Sequence, residues 1–293
     1  ASTVRGSQQA SEFGASFPAP ELDLGTMMGW KDGVVGRLTG GIGQLFKGNE
    51  VELIEGEARF TGPNAIDVGG KAYTAESFIV ATGSSPIAVP GFEVDGQQVV
   101  DSTGALTLEE VPGRFLAIGC SAIGLEFADI YNALGSDVTV VEMMDRIVPT
   151  ADAAVTRELD RALSKRGITI RTGTRAVSLE RDGDGLQVTL EDSEGERETA
   201  TFDRILVAVG RRPNGQGLGL EEIGVEVDER GFVPVNASMQ TNLDHVYAIG
   251  DVARAPLLAH KAMKEGLVAA EHAAGKPAAY DTIVPSVIYT SPE

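Results

Sequence analysis

Residues 115–142 decide the fold, and they have the sequence FLAIGCSAIGLEFADIYNALGSDVTVVE. Two short apolar runs, at 115–118 and 138–141, flank a segment whose apolar residues recur at helical spacing. A strand, a helix and a second strand in this order form a βαβ unit, whose two strands are parallel. The sequence therefore predicts an α/β protein built around a parallel sheet.

The turn between the first strand and the helix carries a glycine pattern. Gly119 allows a tight turn out of the strand, and Gly124 lets helix and strand approach each other closely. A helix that begins near Ala122 would direct free backbone N–H groups and its positive dipole end at an anion. The residues predicted to contact a pyrophosphate are Gly119, Cys120, Ser121, Ala122, Ile123 and Gly124. Strand, loop and helix together predict a dinucleotide-binding loop.

Glu142 ends the second strand 18 positions after Gly124, near the offset at which an acid binds the adenosine ribose. Its charge would repel a 2′-phosphate, so we expect NAD rather than NADP, although Arg146 lies a turn further on. Ser121 stands where the pattern normally has its second glycine. We expect this serine to weaken binding modestly, unless its hydroxyl donates to a phosphate oxygen.

The rest of the chain predicts further regular structure. Apolar residues at three- and four-residue steps predict a buried core helix over 26–46, and a second helix is expected over 153–166, ending at Gly167. Three β-type runs near Val177, Val188 and Thr199, with turns at 182–185 and 193–195, predict an antiparallel meander. Other strands are expected at 51–54, 65–68, 78–81, 168–170, 205–209 and 245–249. Ligands bind beyond the carboxyl ends of such strands.

Composition argues against several classes of function. The net charge of −19, from 24 Lys+Arg and 43 Asp+Glu, disfavours nucleic acid and anionic membranes as partners. The single cysteine, Cys120, and three scattered histidines offer neither an internal disulfide nor metal-ligand spacing. We expect a cytoplasmic protein without a metal, because neither a bilayer-spanning stretch nor a secretion signal is visible.

Eight segments in order resemble the flavin- and NAD-dependent disulfide reductases, most closely the dihydrolipoamide dehydrogenases. They are VVGRLTGGIGQLFKGNEVELIEGEARFTG, FIVATGSSP, DSTGALTLEEVPGRFLAIG, GLEFADIYNALGSDVTVVE, ILVAVGRRPN, HVYAIGDV, LLAHKAMKEG and VPSVIYTSPE. The resemblance implies an oxidoreductase that transfers hydride between FAD and NAD. It also implies a Rossmann-like NAD-binding domain, inserted into an incomplete FAD-binding domain of similar fold.

The resemblance also implies cofactor contacts. To the NAD set it adds Glu126, Ala176 and Gly210. The FAD set that it implies is Ala58, Thr82, Gly83, Ser84, Gly250, Asp251, Leu257, Leu258, Ala259 and His260. Asp251 would bind the ribitol, since a carboxylate that leaves a buried strand can accept from polyol hydroxyls. The plainer alternatives are a helix cap for Asp251 and a surface carboxylate for Glu126.

Residues 1–20 are rich in Ser, Ala, Gln, Gly and Pro and show no apolar period, so we expect a disordered linker there. By the same resemblance, the rest of the chain divides into a first FAD-binding part (21–102), an NAD-binding domain (103–226), a second FAD-binding part (227–282) and the start of a dimerisation domain (283–293). The family's first glycine fingerprint, redox cysteine pair and His–Glu pair have no counterpart in this sequence. We therefore assign no catalytic residue and do not expect disulfide reduction.

Three functions remain open from the sequence. The first is a FAD/NAD oxidoreductase of this family, the second an NAD-binding module without turnover, and the third a thiol-independent NADH:flavin oxidase or diaphorase. The partners implied are NAD(H), FAD, the missing parts of a reductase and the subunits of 2-oxo acid dehydrogenase complexes. The family forms homodimers through a domain that would begin where this sequence ends.

Overall fold

The computed structural model of the chain describes residues 2–18, 20–183 and 185–293. The helices are α1 (Ser2–Gln9), α2 (Leu24–Gly48), α3 (Ser102–Ala105), α4 (Ala122–Leu134), α5 (Ala153–Lys165) and α6 (Ala259–Ala273), with short 3-10 helices at Ala10–Phe13, Glu221–Ile223 and Gly250–Val252. The strands are β1 (Ala58–Gly62), β2 (Ala65–Val68), β3 (Lys71–Thr74), β4 (Phe78–Val80), β5 (Ser84–Pro86), β6 (Val99–Val100), β7 (Arg114–Ile118), β8 (Asp137–Val141), β9 (Thr169–Arg171), β10 (Arg175–Asp182), β11 (Gly185–Glu191), β12 (Arg197–Phe202), β13 (Arg204–Val207), β14 (Arg211–Pro213) and β15 (Val246–Ala248).

The chain forms two compact units. The first comprises residues 1–39, 86–210 and 287–293, and the second comprises residues 40–85 and 211–286. Each unit has its own apolar clusters. The boundaries that we expect for cofactor domains stay a prediction.

A parallel sheet forms the centre of the first unit, with strand order β6-β13-β7-β8-β9. Phe115 and Ala117 of β7 pack into one apolar cluster with residues of α4 and α5. Leu116 and Ile118 lie in a second cluster with residues of the β10-β11-β12 meander. Because both faces of the sheet are covered, β7 is a continuous apolar run rather than an alternating one. The predicted α/β fold with a parallel sheet is confirmed.

The connections of the first unit follow the local sequence signals. Helix α4 ends at Gly135, whose φ of +108° places it in the left-handed region, and Gly167 after α5 has a φ of +88°. The predicted meander is confirmed, because β11 pairs antiparallel with both β10 and β12. In its predicted turn at 182–185, Asp184 lies outside the described residues.

The second unit combines an antiparallel sheet, β1-β2-β3, with a parallel pair, β4 and β15. Its core gathers side chains from these strands and from the loops after β14: Phe60, Val80, Leu220, Val233 and Val246. Helix α6 buries Lys261, Glu265, Val268 and Ala269. The turn that follows β15 thus lies between a buried strand and a helix that carries two buried charges.

The expectation that residues 1–20 form an unstructured linker is wrong for the described residues 2–13, which are helical. The guanidinium of Arg5 donates to the Asp129 carboxylate at 2.7 Å, and both side chains are buried. Local composition carries no sign of this pairing, because its partner lies 124 positions further along the chain. A Ser- and Gln-rich segment is therefore held in place by a tertiary contact.

Two further expectations need correction. The helix predicted over 26–46 exists as α2, but none of its residues is buried and Trp30 is 71% exposed. Helical periodicity identifies an apolar face and says nothing about what covers it. The strand predicted at residues 51–54 is absent, and this segment belongs to none of the sheets of the described residues. Alternation of apolar and polar residues does not by itself provide a neighbouring strand to pair with. No helix within the described ranges has both the length and the apolar character needed to cross a bilayer.

Candidate cofactor-binding sites

The loop after β7 depends on two glycines. Gly119 has a φ of +103°, and its amide donates to the Val141 carbonyl at 2.9 Å. A β-carbon at Gly119 would overlap the carbonyl oxygen of Ala208, and one at Gly124 would overlap the carbonyl oxygen of Gly119. The strand and the helix can approach this closely only because both side chains are absent.

The first turn of α4 presents free backbone donors. Ser121 is the N-cap residue, and its side chain makes no capping hydrogen bond. The first helix-closing bond runs from the Leu125 amide to the Ser121 carbonyl at 3.1 Å. The amides of Ala122, Ile123 and Gly124 therefore precede the hydrogen-bonded ladder and have no intrahelical acceptor. Such a turn suits a phosphate group.

Glu142 lies immediately beyond β8, beside this loop. Its Oε2 accepts from the Cys120 amide at 2.9 Å, and its Oε1 accepts from the Met144 amide at 2.9 Å. The side chain is only partly buried. Because a carboxylate oxygen has about two acceptor sites, each oxygen can still accept from a second donor. The structure thus fixes the carboxylate next to the loop, as ribose recognition requires.

The thiol of Cys120 has no exposed surface. Burial raises the pKa of this thiol well above its ordinary range, and the nearby charges of Glu142 and Asp160 add to that effect. The thiol therefore stays protonated at neutral pH and cannot act as a nucleophile. Cys120 contributes through its backbone, whose carbonyl also accepts from the Val148 amide at 3.0 Å.

The other three residues of the predicted NAD set are Glu126 on α4, Ala176 in the meander and Gly210 after β13. The Oε1 of Glu126 accepts from the Tyr289 amide at 2.9 Å, and Ala176 packs against the apolar cluster beside the meander. Gly210 has a φ of +130°, and its carbonyl accepts from the Ile87 amide. Among the described side chains, those of these three residues form no hydrogen bond with residues 119–124. Their assignment stays a prediction.

In the second unit, the structure brings Asp251 and Ser84 together. The Ser84 hydroxyl donates to the Asp251 Oδ2 at 2.6 Å and accepts from the Arg211 Nε at 2.7 Å. A further bond at 2.5 Å joins the Arg211 Nη2 to the Ser84 carbonyl. The guanidinium therefore orients the hydroxyl, and the hydroxyl orients the carboxylate.

Thr82 and Gly83 are held by Asn214. The Asn214 amide donates to the Gly83 carbonyl at 2.9 Å, and its side-chain Nδ2 donates to the Thr82 carbonyl at 3.0 Å. The Thr82 hydroxyl returns a bond to the Asn214 carbonyl at 2.8 Å. These three bonds give the loop at residues 82–84 a fixed conformation next to Asp251.

A known protein family matches most of this chain. The family model of the pyridine nucleotide-disulphide oxidoreductases matches residues 3–266. The chain belongs to this family. The predicted resemblance and the Rossmann-type α/β fold are thereby confirmed, and FAD and NAD are the cofactors of this family.

Individual relatives agree along the whole chain. The dihydrolipoyl dehydrogenase of Thermus scotoductus is 56% identical over 295 residues, which cover 100% of this chain and 64% of that protein. A leghemoglobin reductase of Vigna unguiculata is 42% identical over 97% of this chain and 55% of its own length. The crystal structure of LpdA from Mycobacterium tuberculosis matches with a TM-score of 0.88 and 25% identity, over 99% of this chain and 64% of that one. The chain spans less than two thirds of the length of these relatives.

Several FAD-set positions of this family member lie near the start of α6. Leu257 and Leu258 are half-buried, whereas Ala259 and His260 are exposed. The His260 Nε2 lies 2.9 Å from the Pro285 carbonyl oxygen. The first helix-closing bond runs from the Ala262 amide to the Leu258 carbonyl, so the earlier amides are free to face an electron-rich ring or an anion.

Ala58 is the exposed first residue of β1, where it pairs with Val68. In the part of the chain that the structure describes, no hydrogen bond links Ala58 to the loop at 82–84 or to Asp251. The sequence did not single out Arg211 and Asn214, although both lie in the segment ILVAVGRRPN. Only the presence of both residues in that segment could have pointed to them. Their partners Ser84 and Thr82 lie 127 and 132 positions away in the sequence.

Proposed function

We propose that this chain binds NAD through residues 119–124 and Glu142, and that it acts as a dihydrolipoyl dehydrogenase-like oxidoreductase. The observation that carries the proposal is the 2.9 Å hydrogen bond between the Glu142 carboxylate and the Cys120 amide. It fixes a negative charge beside the free amides of α4, where a ribose would follow a pyrophosphate. The same charge disfavours the 2′-phosphate of NADP.

FAD is proposed to bind the second unit at Asp251. The Asp251 carboxylate keeps one oxygen beyond the bond from Ser84, and its side chain is partly exposed. A carboxylate in this state can accept from the hydroxyls of a polyol. When both cofactors are bound, they would supply hydride transfer between a nicotinamide and a flavin. The residues of this chain would bind and orient the two cofactors.

We propose that the residues of this chain do not reduce a disulfide by themselves. The chain has a single cysteine, and that thiol is fully buried, so thiol–disulfide exchange needs a dithiol that these residues do not supply. Two relatives, from Vigna unguiculata and Glycine max, carry the name leghemoglobin reductase, which describes a different acceptor. This favours a thiol-independent diaphorase activity as the second candidate. An NAD-binding module without turnover is the third.

The assembly and location are also proposals. The family acts as a homodimer, and we propose that the partners of the whole protein include subunits of 2-oxo acid dehydrogenase complexes. We propose a cytoplasmic location, which the use of a single cysteine supports.

Reconstitution with flavin separates these candidates. The purified chain is mixed with FAD, desalted, and assayed for flavin absorbance and for NADH-dependent dye reduction. A yellow chain that reduces the dye supports the oxidoreductase. A colourless chain that binds NADH supports the module, and a chain that binds neither cofactor contradicts both.

Variants of the second unit test where FAD binds. Asp251→Asn keeps the size of the side chain but removes its charge, and we expect it to retain less FAD than the wild type. Asp244→Asn is the matched control, because Asp244 is an exposed acid just before β15. Equal flavin retention by the two variants would contradict the assignment of Asp251.

A further inference from the structure

Helix α6 contains a buried ion pair that the proposed function does not use. The Nζ of Lys261 lies 3.2 Å from the Glu265 carboxylate, one turn further along, and the two side chains are 1% and 0% exposed. Lys and Glu are almost never fully buried without a partner. Removing two charges from water costs about as much free energy as their attraction returns. Stability alone therefore does not explain the pair.

Both members of the pair bind the backbone of the same residue, Gly250. The Glu265 Oε2 accepts from the Gly250 amide at 2.7 Å. The Lys261 Nζ donates to the Gly250 carbonyl at 3.1 Å and to the Arg254 carbonyl at 2.7 Å. The ammonium group thereby finds acceptors for its donors. The pair holds the N–H and the C=O of the residue that precedes Asp251.

The turn at 250–254 begins with a left-handed glycine and packs closely against α6. Gly250 has a φ of +73° and begins the short 3-10 helix that carries Asp251 away from β15. A β-carbon at Gly250 would lie 3.2 Å from the Ala262 Cβ, so α6 packs closely against the turn. The direction in which Asp251 leaves the turn is therefore set by α6.

Arg254 closes the network at the far end of the turn. Its Nε donates to the Glu265 Oε1 at 2.9 Å, and its guanidinium lies 4.7 Å from the centre of the Tyr280 ring. Residues 250–254 are thus tied to α6 at both ends. Asp251 lies between these two ties, and its carboxylate accepts from the Ser84 hydroxyl rather than from a residue of α6.

We propose that Lys261 and Glu265 are positioning residues, which hold the turn at 250–254 so that Asp251 presents its carboxylate to the ribitol of FAD. This inference rests on the proposed role of Asp251. The buried pair would thus act on FAD binding indirectly, by holding the turn that carries Asp251.

The test uses the double variant Lys261→Met/Glu265→Leu. It replaces the ion pair by apolar side chains of similar size, which preserves packing and leaves no unpaired charge at the two fully buried positions. Arg254 loses its bond to Glu265, but its side chain is 37% exposed and can reach water. The first measurement is hydrogen exchange of the amides at 250–254 in the chain without FAD. The charged bond to the Gly250 amide is lost, so we expect exchange there to accelerate about tenfold or more. The second measurement is an FAD titration, in which we expect the Kd to rise about tenfold or more.

Val268→Ala is the matched control. Val268 is buried on the same helix and packs in a cluster with Met239, Tyr247 and Ala269, which contains no residue of 250–254. This substitution destabilises the chain through a cavity, yet we expect FAD affinity and exchange at 250–254, relative to global unfolding, to match the wild type.

The outcomes distinguish the positioning role from the proposed function. Unchanged exchange at 250–254 in the double variant would overturn the positioning role. Accelerated exchange with unchanged FAD affinity in the double variant would show that the pair holds the turn but does not affect FAD binding. A loss of FAD affinity in Val268→Ala as large as in the double variant would also overturn the link between the pair and FAD binding. A wild-type chain that takes up no FAD would contradict the proposed role of Asp251, and the exchange measurement would then decide the positioning role alone.

Discussion

The Glu142 carboxylate accepts a hydrogen bond from the Cys120 amide at 2.9 Å, which joins the end of β8 to the loop after β7. The second carboxylate oxygen accepts from the Met144 amide. One side chain therefore both supplies the negative charge and fixes the loop that faces the phosphates. Because a charged hydrogen bond to a backbone amide is among the stronger kinds, the loop is organised before any nucleotide arrives.

Gly124→Ala tests the close approach of α4 and β7. Its new methyl group would overlap the Gly119 carbonyl oxygen, and overpacking of this kind costs about 2 kcal/mol of the free energy of unfolding. Urea denaturation followed by circular dichroism measures the loss. Gly36→Ala is the control, because Gly36 lies in α2 with open space around it. We expect this variant to have a free energy of unfolding about 1 kcal/mol higher than the wild type, since alanine favours the helix more than glycine does. Equal midpoints for Gly124→Ala and the wild type would refute the packing argument.

Ser121→Gly tests the departure from the glycine pattern. Ser121 has a φ of −86°, so its backbone does not need glycine, and only the bulk of the side chain can hinder a phosphate. We expect NADH to bind at most about threefold more tightly to the variant. Isothermal titration measures the change. Weaker binding would show instead that the serine hydroxyl donates to the nucleotide.

The Cys120 thiol should be inert in the folded chain. Burial raises its pKa, so it keeps its proton at a pH where an unfolded cysteine, with a pKa of about 8.5, begins to ionise. The free energy of unfolding should therefore decrease as the pH rises above about 8.5, since ionisation then favours the unfolded state.

Iodoacetamide at pH 8 provides the measurement. We expect modification of the wild type only in denaturant, whereas Cys120→Ala is unreactive in both states. Alkylation of the native chain at the rate of a free thiol would contradict the burial of this side chain.

The sequence predicts those parts of the fold whose signals are local. Strand β7 is apolar from Phe115 to Ile118, β8 carries valines at 138, 140 and 141, and Gly167 marks the end of α5 by its left-handed conformation. Burial and long-range pairing depend on distant residues. For this reason the periodicity of α2 predicted a core helix that is exposed, and the ion pair that holds α1 was not foreseen.

The candidate sites divide in the same way. Residues 119–124 and Glu142 could be found because strand, glycines, helix and acid follow one another within 28 residues. The bonds from Arg211 to Ser84 and from Glu265 to Gly250 could not be found, because a sequence does not show which distant polar groups meet. Hydrogen-bond partners of this kind become visible only when the chain is folded.

The most direct test of the central claim is the affinity of Glu142→Gln for NADH and NADPH, measured by isothermal titration beside the wild type and Asp137→Asn, an exposed acid at the other end of β8. We expect the wild type and Asp137→Asn to bind NADH more tightly than NADPH. Glu142→Gln loses a charged hydrogen bond worth about 1.5–3 kcal/mol, so we expect it to bind NADH about tenfold or more weakly than the wild type. We also expect its preference for NADH over NADPH to be smaller, because the charge that repels the 2′-phosphate is gone. Unchanged NADH affinity and unchanged preference in Glu142→Gln would contradict the claim that this carboxylate and its glycine loop bind the nucleotide.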